Sequence, residues 1–299
     1  MIKKALKYLL YRFFGKPLYS LVKGIYHPSD TMLKRLRFIG KFRVKTEDGQ
    51  HFYLFNNAFH LENRIFWMGL DKYPWERMTR RIWARLCISS STIFDIGANS
   101  GIYSVLAKVY NPNSLVLAFE PQPNVYNVLR RNNQVNGFDI VCEQAALSSK
   151  EGRMPFYNYG PDTFSTENTT AGSLNKDWVT RDQSSIMVDV QKLGTYIEEN
   201  DIGGIDLMKI DVETLEYEVL LGYGKCLSIH LPILILEIQN RDIGKNLESL
   251  LDPDQYSYYN IDEEDGLVSV TELGSATKDL NYLVCPNSKL DEVRDFISS

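Results

Sequence analysis

The stretch 92–104, TIFDIGANSGIYS, sets one carboxylate, Asp95, two residues ahead of Gly97 and six ahead of Gly101. Thr92, Ile93 and Phe94 predict a buried strand that carries Asp95 at its end. The two glycines bracket a tight turn, and 102–109 continues with helical spacing. In an open α/β sheet, ligands lie at the carboxyl ends of the strands, where a glycine turn lets the backbone come close. A dinucleotide lays its pyrophosphate on the helix N-terminus, and such a turn reads G-x-G-x-x-G without an acid inside it. Here the spacing is D-x-G-x-x-x-G, which disfavours a dehydrogenase. A carboxylate at that point repels a pyrophosphate and suits a ligand bearing an ammonium and a sulfonium, namely S-adenosylmethionine. Glu120 fits the same ligand. It follows the apolar run 114–119, roughly 20 residues beyond the turn, where an acid can accept from both ribose hydroxyls of an adenosine. Ala145 and Ala146 are small enough for an adenine ring to approach, or for a packed loop.

A second group of charges lies at 205–216, IDLMKIDVETLE. Methyl transfer from a sulfonium to a hydroxyl is an in-line displacement, in which the acceptor is held close and loses a proton. Strand alternation puts Lys209, Asp211 and Glu213 on one side. Asp211, at the strand's end, is a candidate general base or a partner for the methionine ammonium. Glu213 and Glu216 share a helix face, either to orient substrate or to sit favourably in a first turn. Lys209, inside an apolar strand, requires an acid, with Asp95, Asp211 and Glu237 in reach. Glu237 beside Asp211, with Asn240, could hold magnesium, although the expected site is metal-free. His51 and His60 precede the core and read as structural.

These residues need a scaffold. Alternating strands and helices from 92 onward predict a parallel, doubly wound α/β sheet. Its strands are expected at 92–96, 114–119, 138–142, 205–210 and 232–238. Two closing strands, 256–261 and 280–285, should be joined across the acidic turn 262–266. Helices are expected at 124–135, 193–199, 215–223 and 244–251. Further strands at 152–157 and 186–190 flank a polar stretch, 158–185, that reads as a substrate lid. Ahead of the sheet, 41–55 predicts a hairpin around Asp48-Gly49, and 60–70 and 75–86 have helical spacing. Three units result: a basic arm at 1–40, a cover at 41–90 and a cofactor-binding domain at 91–299.

Composition limits the alternatives. The chain has 299 residues, and 44% apolar content is ordinary for a globular protein. Four scattered cysteines with no C-x-x-C pair argue against a zinc site or disulfide framework and fit a reducing, cytoplasmic compartment. The net charge of −5 divides into +11 over 1–45 and −16 over the remainder. A basic arm on an acidic body suggests an anionic membrane surface rather than nucleic acid, for which no motif is present. Residues 3–25 interleave bases with large apolar side chains and contain no run of the ~20 apolar residues a spanning helix needs. They read either as an interfacial helix on the inner leaflet, with 1–30 as the contact, or as a helix packed on the body.

Taken together, FDIGANSGIYS (94–104), FEPQPNVYNVLRRN (119–132), AALS (145–148), AGSL (171–174), IDLMKIDVETLEYEVLLG (205–222) and ILEI (235–238) resemble the FkbM-type family of S-adenosylmethionine-dependent methyltransferases. The resemblance spans about 42–284. It implies a Rossmann-like, seven-stranded class I methyltransferase sheet, here with an N-terminal helical and hairpin extension. It implies O-methylation of a hydroxyl on a sugar, polysaccharide building block or polyketide-like product. It also implies cofactor contacts from Asp95, Gly97, Asn99, Gly101 and Glu120, with Lys209, Asp211, Glu213 and Glu216 as the strand-four motif. One departure stands out: Thr214 occupies the glycine of the family's D-V-E-G-x-E, which would narrow the site or change its acceptor. A glycan or glycolipid hydroxyl is the leading acceptor. A small secondary metabolite, or a scaffold without turnover, are the alternatives.

Overall fold

A computed structural model describes residues 16–23, 25–26, 28–33, 35–159, 171–178, 183–276 and 278–298. The start of the arm, 1–15, and the centre of the polar stretch, 160–170 and 179–182, lie outside the described residues, and more than half of the segment read as an interfacial helix, 3–25, falls there. The described N-terminal part holds α1 (Lys16–Val22), α2 (Asp30–Leu33), β1 (Ile39–Lys45), β2 (His51–Asn57), α3 (His60–Met68) and α4 (Arg77–Ser89). The sheet and its helices follow: β3 (Thr92–Ile96), α5 (Ile102–Tyr110), β4 (Leu115–Phe119), α6 (Pro123–Asn136), β5 (Val141–Glu143), β6 (Ala146–Leu147), β7 (Gly152–Tyr159), β8 (Gly172–Ser173), β9 (Gln183–Gln191), α7 (Leu193–Glu199) and β10 (Leu207–Ile210). The chain then adds α8 (Glu216–Tyr223), α9 (Cys226–His230), β11 (Ile233–Glu237), α10 (Arg241–Glu248), β12 (Tyr256–Asp262), β13 (Gly266–Val270) and β14 (Asn281–Pro286).

The main sheet runs β13-β12-β14-β11-β10-β3-β4-β5, parallel from β11 to β5 and antiparallel at the other edge. The doubly wound α/β class is as expected, with eight strands instead of seven. The additional strand is β13. The side chain of Asp262 accepts from the amides of Glu264 and Asp265 at 2.8 and 2.9 Å, and Gly266 takes φ +98°. That turn folds the chain straight back into β13 before it reaches β14. The strand expected at 138–142 is shorter and later, because Asn133 on α6 bonds both the carbonyl and the amide of Ile140 and holds 137–140 in the turn that follows the helix. A second sheet, β6-β9-β7-β8, carries the described end of the polar stretch against the body. Ile297 bridges to Leu267 beyond β13, and the Ser298 amide donates to the Leu267 carbonyl at 2.9 Å.

Strand alternation gives the main sheet two buried faces. Phe94, Ile96, Met208, Ile210, Leu234 and Leu236 pack beneath α7, α8, α9 and α10. Ile93, Leu207, Ile233, Ile235 and Leu283 face α4, α5 and the β1–β2 hairpin with α3. Asp95, Lys209, Asp211, Glu237 and Asn281 share the parity of this second set. The charged residues therefore emerge on the face that the N-terminal extension covers.

Asn132, fully buried on α6, joins that extension to the glycine turn. Its Oδ1 accepts from the Phe55 amide at 2.6 Å, and its Nδ2 donates to the Ser100 carbonyl at 2.7 Å. Substituting Asn132→Ala leaves the buried Ser100 carbonyl and the partly buried Phe55 amide unpaired. The expected cost is about 2–4 kcal/mol, read by urea denaturation; a loss below about 0.5 kcal/mol would contradict this bridging role.

Candidate functional site

The chain runs outward from β3 through β4 to β5 and then returns to build β10 and β11 on the other side of β3. The crevice of such a sheet lies at this reversal, outside the carboxyl ends of the strands. An open cleft with about 950 Å³ of empty space, the solvent at its mouth included, occupies that position. It is lined by Asp95 at the end of β3, Gly97, Asn99 and Ser100 from the turn, Glu120 after β4, Ala145 and Ala146 after β5, Lys209 on β10, and Asp211 and Glu213 after it. Leu61 and Trp75 from the extension and Gly172 and Leu174 from the polar stretch close its sides.

Each sequence-predicted residue has a definite place. Gly97 holds φ +77°, and a Cβ there would overlap the carbonyl oxygen of Asp211. The glycine thus lets the β3 turn lie directly on the β10 turn. Glu120 accepts the Asn99 amide at 3.0 Å on one oxygen and the Gln122 amide at 2.8 Å on the other. Burial pushes its carboxyl up to about 8. Asp95 is buried and accepts both the amide and hydroxyl of Ser104, so it anchors the first turn of α5. Its pKa is raised by burial and drawn back down by Lys209. Gly101 and Glu216 do not line the cavity. Gly101, at φ +83°, keeps the chain clear of Leu129, while Glu216 is fully buried and accepts the Val212 amide at 3.2 Å. Their contributions are to the shape of the two turns.

Lys209 is 3% exposed, and its Nζ lies 2.7 Å from Asp211 Oδ2 and 4.7 Å from the centre of the Tyr103 ring. Burial alone would lower its pKa, but Asp211, Glu76 and Asp95 outweigh burial and raise it. Of the three acids that topology offered this lysine, Asp211 is its direct partner. Glu213 is raised to about 7 by burial and by Asp211, against donors from Gln239 and Trp178. Glu237 is raised chiefly by Asp211 and then by burial. Asn240 is not with it: its side chain caps α10 through the Ile243 amide at 3.0 Å. His60 pairs with Arg64 on α3, and His51 is exposed on β2.

Glu76 and Asn281 were not anticipated at the site, and neither was the backbone conformation of Thr214. Glu76, ahead of α4, accepts from the Tyr103 hydroxyl at 2.5 Å and from the Asn281 side chain, and burial raises its pKa. Its approach to Lys209 depends on how the extension folds over the sheet, which no local pattern announces. Thr214 has φ +81° beside Glu213 at +56°. A β-branched residue in the left-handed region is strained, which explains a glycine at that position in the family motif. Its hydroxyl accepts from Asn175 Nδ2 at 2.9 Å, and Ser173 donates to the Glu213 carbonyl at 2.8 Å. The polar stretch is thereby tied to the strand-four turn.

The donor set fits S-adenosylmethionine. Acids stand at both ends of the cavity, a glycine cradle closes one wall, and Ala145 and Ala146 leave room for a flat ring. The fold and site define a class I S-adenosylmethionine-dependent methyltransferase. Residues 95–272 match the Methyltransferase FkbM domain, and the chain belongs to that family. It is 33% identical over 190 residues to methyltransferase sdnD of Sordaria araneosa, covering 54% of this chain and 73% of that one. It is 32% identical over 152 residues to 31-O-demethyl-FK506 methyltransferase FkbM of Streptomyces tacrolimicus, covering 44% and 58% respectively. Hexuronic acid methyltransferase AglP of Haloferax volcanii is 24% identical over 179 residues, with 58% and 67% covered. The match to FkbM thus spans less than two-thirds of that relative.

Two measurements test this geometry. Thr214→Gly relieves strain and removes the acceptor for Asn175. In a double-mutant cycle with Asn175→Ala, a coupling of about 0.5–1.5 kcal/mol is expected by chemical denaturation; simple additivity would exclude the tie. Glu216, raised to about 8 by burial, holds a proton in the folded state that the unfolded chain releases above about 4.5. Stability of the free protein should therefore fall as pH rises from about 4.5 to 8. Glu216→Gln is expected to flatten that decline by up to about 1.4 kcal/mol per pH unit in thermal unfolding scans.

Proposed function

We propose that this protein transfers a methyl group from S-adenosylmethionine to a hydroxyl oxygen of a sugar within a glycan, polysaccharide or glycolipid. When bound, that cofactor supplies an electrophilic methyl on a sulfonium. Glu120 would accept from the ribose hydroxyls, Asp95 and Asp211 would offset the positive charges, and Ala145 would lie against the adenine. Asn99, held at φ +52°, would present the turn's backbone to the ligand. Lys209 stays protonated and fixes Asp211. Glu213, at about 7, matches the pKa a general base needs near neutral pH. The observation that carries this reading is the convergence of Lys209, Asp211 and Glu213 at one end of the cavity, beneath a polar stretch with room for a hydrophilic acceptor. The hexuronic acid named for AglP supports a sugar.

A small secondary metabolite is the second reading, favoured by the higher identity to FkbM, whose name gives 31-O-demethyl-FK506 as the compound it methylates. Methyl-labelled cofactor incubated with surface-glycan and small-metabolite fractions should label the glycan. Label confined to the metabolite fraction would favour the second reading, and none in either would overturn both. Glu213→Gln is expected to lower kcat by about 10²–10⁴-fold with little change in cofactor affinity, and wild-type kcat should rise through pH 7 as Glu213 loses its proton.

The reading divides the chain into an arm at 1–40, a cover at 41–90 and the catalytic domain at 91–299. Charge supports docking of 1–30 on an anionic inner leaflet. No helix among the described residues is long and apolar enough to cross a membrane. Deleting 1–30 should abolish pelleting with phosphatidylserine vesicles; unchanged pelleting would remove that role.

A further inference from the structure

Three carboxyl groups stand at the ends of β10 and β11 beside one buried ammonium, that of Lys209. Asp211, Glu213 and Glu237 each offer one oxygen, and the three oxygens lie within 4.8 Å of one another. Two of these acids are already oriented. Lys209 holds Asp211 Oδ2 at 2.7 Å, and Gln239 donates to Glu213 Oε2 at 2.8 Å. Asp211 keeps a second oxygen for another partner, and Glu213, which Trp178 also reaches, keeps acceptor lone pairs beyond its two donors.

Asn281 supplies an independent observation. It is only 7% exposed and stands directly opposite Glu237 in the antiparallel pairing of β11 with β14. Residues so paired project from the same face of a sheet, which sets the Asn281 side chain beside the Glu237 carboxylate. Its amide nitrogen donates to Glu76, while its Oδ1 is buried without a hydrogen-bond donor. A buried carbonyl oxygen calls for a donor or a cation. Among the described residues no hydrogen-bond donor reaches this oxygen.

We propose that Asp211, Glu213, Glu237 and the Asn281 carbonyl form a binding site for one divalent cation. Three carboxylates and an amide oxygen are hard ligands, with no imidazole or thiolate among them, so the set suits magnesium or manganese rather than zinc. Magnesium keeps several waters in such sites, and neighbouring acceptor hydroxyls could replace them. Asp211 and Glu213 also line the methyl-donor cavity, so the cation would gather acceptor oxygens at its edge. That use rests on the hydroxyl-acceptor reading above; the binding itself does not.

The test titrates the full chain with manganese, following loss of the free-ion signal by electron paramagnetic resonance, with and without S-adenosylhomocysteine. One ion per chain, displaced by magnesium, is expected. Glu237→Gln and Glu213→Gln should each weaken manganese at least tenfold while keeping S-adenosylhomocysteine affinity within about threefold, which also certifies a folded cofactor pocket. If one variant loses cofactor binding, the other decides. Absence of manganese binding at millimolar concentration, or binding that neither substitution weakens, would overturn the site. Methyl transfer to sugar that persists in chelator, together with either result, removes the cation and leaves the acceptor reading intact. Bound manganese with no transfer to any sugar does the reverse.

Discussion

The buried ammonium of Lys209 is the constraint around which the rest is arranged. A lysine held inside an apolar strand is tolerated only with close counter-charge. Asp211 provides it at 2.7 Å, and Asp95 on the adjacent strand and Glu76 from the extension keep the proton in place. The result is a fixed positive point among acids that repel one another. Burial and then Asp211 raise Glu213 to about 7, and Asp211 ahead of burial raises Glu237. A Glu213 carboxyl raised to about 7 is thus a consequence of burial and of crowding acids around one cation.

Backbone proximity holds this arrangement as firmly as charge does. The β3 turn lies on the β10 turn because Gly97 has no side chain to keep the Asp211 carbonyl away. The β10 turn is tied in turn to the polar stretch through Thr214 and Ser173. Asn132 links the opposite side of the glycine turn to the hairpin. Cofactor wall, charged cluster and cover are therefore one mechanically continuous unit, built mainly from hydrogen bonds between turns.

The doubly wound sheet, the glycine turn and the acids at 95, 120 and 211 were legible in sequence because each follows from local period and spacing. Glu76 and Asn281 were not, since their relation to Lys209 depends on packing between segments far apart in the chain. Asn240 misled for a related reason: adjacency to Glu237 suggested a ligand, but an asparagine ahead of a helix is spent on the first-turn amides. The strand at 266–270 was hidden by the acidic turn before it, which marks a reversal without saying that the returning chain pairs. Thr214 was noticed as a departure, while its left-handed backbone and its tie to Asn175 required three dimensions.

The outer border of β13 has a protein-engineering consequence. An unpaired strand edge is a template for another chain, and here Ile297 and Ser298 sit against Leu267. An affinity handle fused directly after these residues would tug on the segment shielding that border and invite edge-to-edge oligomers. A spacer there, or a handle at the opposite terminus, leaves the shield in place.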